Sequence, residues 1–328
     1  MTTIKAAPLR PTKNEAVPIT RLRLRRDGYR IACSVAGARD GEPVVVLHGG
    51  PGSGSQPSAL RLFDLNRQRV VLIDQRGTGA SGPRGSVRHN RTDRLIADME
   101  VVRRHLGYQR WGVVGGSWGA SLALAYAGTH PERVTGVVLR GTFLTSPAQV
   151  RGFLVRSRKR APAPWQALAR AARCKNPLQL LRCCAKALDA RSPFARRRDV
   201  ALAWRQYEDA LLGSIAARRV ASPVSRSRPT EQRLIRKYHV QAHYLTHTCW
   251  LGEPRLLRHA RRAALSGVPI AAVHGTLDPV CPIATLDRLA RAVPSLRAVR
   301  VHAGHLGSDP MLADTLARMI EAMFVRPS

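Results

Sequence analysis

A serine enclosed by glycines, Ser117 in the segment Gly-Gly-Ser-Trp-Gly (115–119), has the setting of an activated nucleophile. An apolar segment typical of a strand precedes it, and a segment of small and apolar residues typical of a helix follows it. The glycines permit a tight strand-to-helix turn, which lifts the serine hydroxyl above the sheet. The positive end of the helix would point at the reaction site. We therefore predict that Ser117 is the nucleophile of a hydrolase.

A serine nucleophile needs a base, and the base needs an acid that orients it. Asp278 follows the predicted strand 268–274, and His305 follows the next predicted strand, 297–302. The order serine, acid, histidine along the chain is the one used by α/β hydrolases. We predict that His305 accepts the serine proton and that Asp278 holds its ring. His302 competes as a base, but it falls within the predicted strand, which favours His305.

A glycine-rich loop supplies candidates for the donors that an acyl-transfer oxyanion needs. The segment His-Gly-Gly-Pro-Gly (48–52) directly follows a predicted strand, and its glycines let backbone N–H groups face a ligand. We predict that the N–H groups of Gly50 and Trp118 form the oxyanion hole. A phosphate-binding loop is the alternative, but no Lys-Ser or Lys-Thr pair follows the glycines.

Short apolar runs that alternate with helical segments predict the scaffold of these turns. Strands are predicted at 28–35, 43–48, 69–74, 111–115, 134–139, 268–274 and 297–302, and helices at 93–106, 118–129, 284–292 and 311–323. Continuous apolar runs are typical of strands buried in a parallel sheet. The fold class is therefore α/β, with an α/β-hydrolase fold whose sheet is mostly parallel and doubly wound.

The alternation stops between residues 145 and 262, where the chain is rich in Ala, Leu and Arg and lacks strand-like runs. This segment is predicted to be a helical lid, or cap, inserted after the sixth core strand. It would cover the carboxyl edge of the sheet, where open α/β sheets bind ligands. Residues 26–144 and 263–328 are then the hydrolase core, and residues 1–25 a flexible basic N-terminal lead.

The formal net charge of +33 is extreme and is concentrated in the cap. Residues 151–262 contain 26 Lys and Arg residues but six Asp and Glu residues. A nucleic acid or another anionic surface is one possible partner of such a segment. Aromatic residues are scarce, however, so no stacking platform for bases is evident. We expect no specific nucleic-acid partner, and keep a basic anion-binding protein with an inert hydrolase fold as a remote alternative.

The remaining composition indicates a cytoplasmic enzyme that needs no cofactor. The first twenty residues lack the apolar run of a secretory signal, and no segment has the length of a membrane span, so no membrane partner is expected. The six cysteines show no regular spacing, and the adjacent Cys183 and Cys184 suit neither a zinc site nor an ordinary disulfide framework. We predict no metal and no cofactor; the sequence leaves the oligomeric state open.

Several longer segments together resemble the proline iminopeptidases, also called prolyl aminopeptidases. They are His-Gly-Gly-Pro-Gly (48–52), Asp-Gln-Arg-Gly-Thr-Gly-Ala-Ser (74–81), Gly-Gly-Ser-Trp-Gly (115–119), Leu-Ala-Tyr-Ala-Gly-Thr-His-Pro-Glu-Arg-Val (124–134) and Leu-Arg-Gly-Thr-Phe (139–143). The resemblance is dense over residues 43–145, returns at 270–307 and is thin in the cap. It implies a serine peptidase that removes N-terminal proline from peptides through an acyl-enzyme.

The resemblance also implies which cap residues bind the substrate. Glu208, in Trp-Arg-Gln-Tyr-Glu (204–208), corresponds to a family carboxylate that binds the free amino group, although a helix-surface Glu paired with an Arg would look the same. Phe143 corresponds to an aromatic residue of the proline pocket, and Phe153 is a second candidate; both would also suit ordinary packing.

Two positions depart from the family pattern. Gln241 stands where a second Glu is expected, and Leu245 where an aromatic residue is expected. A hydrogen bond to a charged group contributes roughly 1.5–3 kcal/mol against about 1 kcal/mol for a neutral one, so selection of an amine should be weaker here. These departures keep a second interpretation open: an esterase, lactonase or amidase of the same fold that acts on a small non-peptide molecule.

Overall fold

The apolar runs of the sequence assemble into one eight-stranded sheet in the computed structural model, which describes residues 18–213 and 227–325. The strands are β1 Thr20–Arg26, β2 Tyr29–Gly37, β3 Glu42–Leu47, β4 Gln68–Ile73, β5 Trp111–Gly116, β6 Val134–Arg140, β7 Ile270–Gly275 and β8 Arg297–Val301. Their order across the sheet is β1-β2-β4-β3-β5-β6-β7-β8. β1 and β2 pair antiparallel and β2 lies antiparallel to β4, whereas the remaining pairs are parallel. The predicted mostly parallel α/β sheet is confirmed.

The central strands are buried on both faces, which explains their continuous apolar runs. Alternate side chains of β3, for example, pack into two different apolar clusters on opposite faces of the sheet. Val45 packs in the cluster that contains helix residues 118–127, whereas Val44 packs with the helix near the C-terminus. The carboxyl ends of the parallel strands lie along one edge of the sheet. The predicted catalytic residues Ser117, Asp278 and His305 follow strands that end at this edge.

Helices cover both faces of the sheet. In the described ranges they are α1 Thr92–His105, α2 Trp118–Thr129, α3 Pro147–Leu154, α4 Pro162–Ala171, α5 Leu180–Leu188, α6 Phe194–Gly213, α7 Arg228–Thr246, α8 Gly252–Leu265, α9 Ala284–Ala292 and α10 Pro310–Phe324. The predicted helices at 93–106, 118–129, 284–292 and 311–323 correspond to α1, α2, α9 and α10. None of these described helices combines the length and apolarity needed to cross a bilayer.

The N-terminal prediction needs a correction. Residues 1–17 of the predicted lead (1–25) lie outside the described ranges, but Thr20–Arg26 form the edge strand β1. Leu22 and Leu24 pack against the core, while the alternating residues Arg21, Arg23 and Arg25 are exposed. This alternation is the period-two pattern of a strand with one exposed face, and the density of arginine concealed it. The predicted flexible lead is therefore wrong for residues 20–25.

A separate apolar core holds the cap together between β6 and β7. It contains large buried side chains of α6 and α7, among them Trp204, Tyr207 and Tyr238. Helix α8 behaves differently, because Leu256, Ala260 and Ala263 pack in the core cluster together with α2. The predicted cap boundary at residue 262 therefore lies too late, since α8 belongs with the core. The cap follows the sixth strand of the sheet, β6. The sequence patterns predict five of the six strands that precede the cap, and the missing one is β1.

Candidate active site

Ser117 lies at the turn between β5 and α2 in a backbone conformation that non-glycine residues rarely adopt, with φ 57° and ψ −119°. Its N–H donates to the carbonyl of Arg140 over 2.8 Å, which fixes the turn to the neighbouring strand. A Cβ on Gly119 would lie 2.1 Å from the carbonyl oxygen of Leu47, and one on Gly115 would lie 2.2 Å from the carbonyl oxygen of Gly119. The motif therefore needs its glycines because three backbone segments touch there.

Asp278 and His305 meet across the turns that leave β7 and β8. Nδ1 of His305 donates to Oδ2 of Asp278 over 2.6 Å. The other carboxylate oxygen, Oδ1, accepts from the N–H groups of Val280 and Cys281 over 2.8 and 2.7 Å. Burial raises the pKa of Asp278, but the His305 ring and these N–H donors outweigh it, so the pKa is lowered and the group is an anion. This leaves Nε2 of His305 for exchange of a proton.

Close backbone contacts bring the two turns together. A Cβ on Gly275 would lie 2.1 Å from the carbonyl oxygen of Gly304, and one on Gly141 would lie 3.3 Å from the ring of His305. Ser117 and His305 line the same cavity, although among the described residues their side chains share no hydrogen bond. Catalytic hydrogen bonds of this kind commonly tighten when substrate binds. His302, the competing base, is exposed and does not line that cavity.

The predicted oxyanion donors flank the nucleophile. A Cβ on Gly49 would lie 3.4 Å from Cβ of Ser117, so the glycine loop passes directly over the serine. Gly50 has φ +115°, a conformation that favours glycine, and it lines the cavity. Trp118 is the first residue of α2, whose initial N–H groups have no acceptor within the helix. The N–H groups of Gly50 and Trp118 stay the predicted oxyanion donors.

Gln75 connects the two oxyanion elements. Its Nε2 donates to the carbonyl of His48 over 2.9 Å, and its Oε1 accepts from Nε1 of Trp118 over 2.8 Å. The N–H of Gln75 also donates to Nε2 of His48 over 3.2 Å. Burial lowers the pKa of His48, so the ring is neutral and can accept that bond. The glycine loop and the first turn of α2 are therefore held at a fixed separation.

All five predicted substrate-binding side chains face the same cavity as the nucleophile. This cavity has a volume of about 840 Å³. Its lining includes Ser117, His305, Gly50, Phe143, Phe153, Glu208, Gln241 and Leu245. The cap helices α6 and α7 supply Glu208, Gln241 and Leu245, so the cap closes the cavity above the sheet edge. Of the predicted site residues, Trp118 and Asp278 do not line this cavity, and Asp278 lies behind the His305 ring that it holds.

The carboxylate of Glu208 is already engaged by three donors. Oε1 accepts from Nε2 of Gln241 over 2.6 Å, and Oε2 accepts from Nζ of Lys237 over 2.9 Å and from the hydroxyl of Tyr238 over 2.8 Å. Burial raises the pKa of Glu208, but the charge of Lys237 and these hydrogen bonds outweigh it and lower the pKa. Glu208 is therefore an anion whose charge is compensated by Lys237, not a helix-surface residue paired with Arg.

Sequence reasoning missed four cavity or supporting groups: Gln75, Arg140, Lys237 and Cys281. Lys237 had a detectable signal, because it precedes Gln241 by four residues on a helix and so shares its face. Arg140 ends β6 at the carboxyl edge, lines the cavity, and donates from its guanidinium to the carbonyl of His305. Gln75 lies in the family-like segment 74–81, but that segment did not indicate its role, which depends on contacts with His48 and Trp118.

One triplet among the described residues has the composition of a metal site. Ligand atoms of Asp278, Cys281 and His305 lie within 4.8 Å of one another. The contacts of these groups favour a catalytic Asp278–His305 pair over a metal site, because Nδ1 of His305 donates its hydrogen bond to Asp278. Burial raises the pKa of Cys281 well above its usual value, which keeps it a thiol, and a thiol is a poor ligand. The predicted lack of a metal stays a prediction.

Comparison with known proteins gives a family for this arrangement. Residues 42–309 match the family model described as the alpha/beta hydrolase fold. A proline iminopeptidase of Neisseria gonorrhoeae is 34% identical over 308 residues, covering 91% of this chain and 94% of that protein. A proline iminopeptidase of Xylella fastidiosa is 35% identical over 294 residues, covering 88% of this chain and 91% of that protein.

Solved structures add support for the fold alone. A 2-hydroxy-6-oxo-6-phenylhexa-2,4-dienoate hydrolase from a Rhodococcus strain superimposes with a TM-score of 0.59 at 18% identity. The superposition covers 95% of this chain and 100% of that one. At this identity the likeness concerns the arrangement of strands and helices and not the substrate.

Proposed function

The chain belongs to the proline iminopeptidase family of α/β hydrolases, and on that premise we propose that it removes an N-terminal proline from small peptides through an acyl-enzyme. The protein is a hydrolase. The observation that carries the proposal is the meeting, in one cavity, of the serine turn, the His305 ring held by Asp278 and the half-buried anion Glu208.

The proposed mechanism begins with Ser117. His305 removes the hydroxyl proton as the oxygen attacks the prolyl carbonyl, and Asp278 stabilises the imidazolium that forms. The N–H groups of Gly50 and Trp118 stabilise the tetrahedral oxyanion. His305 then returns the proton to the departing amine, which leaves the prolyl ester of Ser117. Water, activated by the same histidine, hydrolyses this ester and regenerates the serine.

The proposed prolyl site lies under the cap. Phe143 and Phe153 would pack against the pyrrolidine ring, with Leu245 where the family pattern has a further aromatic residue. Glu208, with Gln241 beside it, would receive the ring nitrogen. Phe153 also contacts Tyr207 within the cap core, with ring centroids 5.8 Å apart, so its position is fixed by packing.

A substrate panel tests the proposal. The protein should release naphthylamine from prolyl-naphthylamide, and it should release it more slowly from the alanyl and arginyl analogues. Short acyl esters in the same panel test the second interpretation, an esterase or lactonase. Hydrolysis of the esters with intact prolyl-naphthylamide would contradict the peptidase proposal while leaving the nucleophile in place.

A further inference from the structure

The amine subsite of this protein carries its own ammonium group. In the described ranges, Glu208 and Lys237 form an ion pair with Nζ–Oε2 2.9 Å, and their side chains are 14% and 19% exposed. Lys237 and Glu208 both line the cavity that contains Ser117. Arg205 and Asp209 form a separate ion pair on α6, so they add no net charge. The subsite is therefore neutral overall before any substrate enters.

The orientation of Gln241 is fixed by its neighbour. A carboxylate accepts hydrogen bonds and cannot donate them, so the amide nitrogen of Gln241 must face Glu208 at 2.6 Å. Its oxygen then points away from Glu208. Gln241 is 4% exposed, and among the described residues no donor reaches this Oε1. A buried acceptor without a partner destabilises the folded state, so a ligand that donates to it gains affinity.

Lys237 keeps donor capacity of its own. An ammonium has three N–H groups. One is directed to Glu208, and the hydroxyl of Tyr238, 3.3 Å from Nζ, accounts for a second. The backbone of Lys237 is held close to the oxyanion loop, because a Cβ on Gly52 would lie 2.4 Å from its carbonyl oxygen. Among the described residues, the subsite thus holds one buried acceptor without a partner, Oε1 of Gln241, and one remaining donor, Nζ of Lys237.

We propose that Lys237 determines specificity in this cavity and extends the substrates to uncharged N-terminal residues that pair an N–H donor with a carbonyl acceptor, as the five-membered lactam of 5-oxoproline does. The lactam N–H donates to Gln241, and the ring carbonyl accepts from Lys237. A protonated proline enters the same ring pocket, but its charge meets a carboxylate that Lys237 already neutralises. This inference rests on the proposed acyl-enzyme site and names its substrate class.

The test compares two substrates that differ at the ring nitrogen: prolyl-arylamide and 5-oxoprolyl-arylamide. We expect kcat/KM values within about tenfold of each other for the unmodified protein. Lys237→Met should lower kcat/KM for the 5-oxoprolyl substrate at least tenfold and raise it for the prolyl substrate, whose ammonium takes over the contact with Glu208. Gln241→Glu should shift the ratio in the same direction, because it adds a negative charge.

Arg233→Met is the matched control. Arg233 is exposed and lies one turn before Lys237 on α7. The substitution Arg233→Met therefore removes the same charge without changing the subsite. This variant should keep the wild-type ratio, and thermal unfolding of all variants checks their folding. Cleavage of the prolyl substrate alone, or cleavage of both substrates with a ratio that Lys237→Met leaves unchanged, overturns the inference and keeps the proposed function. Cleavage of the 5-oxoprolyl substrate alone supports the inference and refutes prolyl specificity, and cleavage of neither refutes both.

Discussion

At the scale of single residues, the geometry of the oxyanion site depends on a side chain that lies behind it. Gln75 bonds the carbonyl of His48 and the indole of Trp118, and it is 5% exposed. We therefore predict that Gln75 is a positioning residue, which acts on the reaction through the proposed oxyanion donors, the N–H groups of Gly50 and Trp118.

Gln75→Met should keep the volume and lose both side-chain hydrogen bonds. We expect kcat to fall roughly ten- to a hundredfold with little change in KM, because a displacement on the order of 1 Å at a reacting group has effects of that size. Steady-state kinetics on prolyl-arylamide measures both constants. Trp118→Phe removes one of the two bonds and should have a smaller effect; a rise in KM at constant kcat would show that Gln75 acts on substrate binding instead.

The candidate triad is predictable from the order of its residues and strands along the chain. The rest of the site is not, because it depends on how the cap helices pack. Asp278 and His305 follow strands, so their meeting at one sheet edge could be expected from the sequence. The neutralisation of Glu208 could not be expected in the same way, because it depends on how α6 and α7 pack in the cap. Gln241 could be recognised as a departure, but its unsatisfied oxygen follows from the contact with Glu208.

At the scale of secondary-structure elements, predictability followed burial. Strands β3 to β7 have apolar side chains on both faces, so their runs are visible in the sequence. β1 shows one apolar face, which its arginines mask in the sequence. The core contacts of α8 are all tertiary, so the sequence alone does not separate this helix from the cap. The local sequence pattern therefore predicts where helices and strands occur. What each amphipathic face packs against becomes known only from the structure.

The junction of α1 and α2 contains a half-buried carboxylate with a testable pH signature. Glu100 on α1 accepts from the guanidinium of Arg103 over 2.8 and 2.7 Å and from the hydroxyl of Tyr126 on α2 over 2.6 Å. Burial raises the pKa of Glu100, but these donors outweigh it and lower the pKa to about 2. The folded state thus binds the proton less tightly than the unfolded chain, so stability rises with pH through this range.

Glu100→Gln should lower the free energy of unfolding at pH 6, and the difference from wild type should disappear as the pH falls from about 4.5 to about 2. Urea unfolding followed by fluorescence at several pH values measures this. Glu321→Gln, at an exposed position of α10, is the control and should match wild type throughout. A difference that persists unchanged at pH 2 would mean that the carboxylate charge is not the cause.

At the scale of the whole molecule, the net charge of +33 is spread over many exposed arginines. One group of four, Arg23, Arg30, Arg84 and Arg236, lines a second cavity of about 480 Å³ with no acidic residue among its lining residues. The described residues otherwise show arginines distributed over the cap surface. Such a distribution favours salt-sensitive affinity for polyanions in general rather than a specific nucleic-acid site.

The protein should bind a heparin column at low salt and elute as the NaCl concentration rises. The double variant R23Q/R84Q should shift the eluting salt concentration as much as R151Q/R160Q, which removes two exposed cap arginines. Equal shifts indicate that affinity follows total charge. A much larger shift for R23Q/R84Q would instead identify the four-arginine cavity as a site with its own ligand.

The most direct test of the account is covalent labelling of the nucleophile. Treatment with a fluorophosphonate followed by peptide mass spectrometry should find one adduct, on Ser117. In the proposed site His305 takes the proton of that hydroxyl, and the two N–H donors stabilise the oxygen of the phosphonyl group. Ser117→Ala should abolish labelling together with hydrolysis of prolyl-arylamide, and His305→Ala should slow both strongly. An adduct on another residue, or hydrolysis that survives Ser117→Ala, would contradict the assignment of Ser117 as the nucleophile.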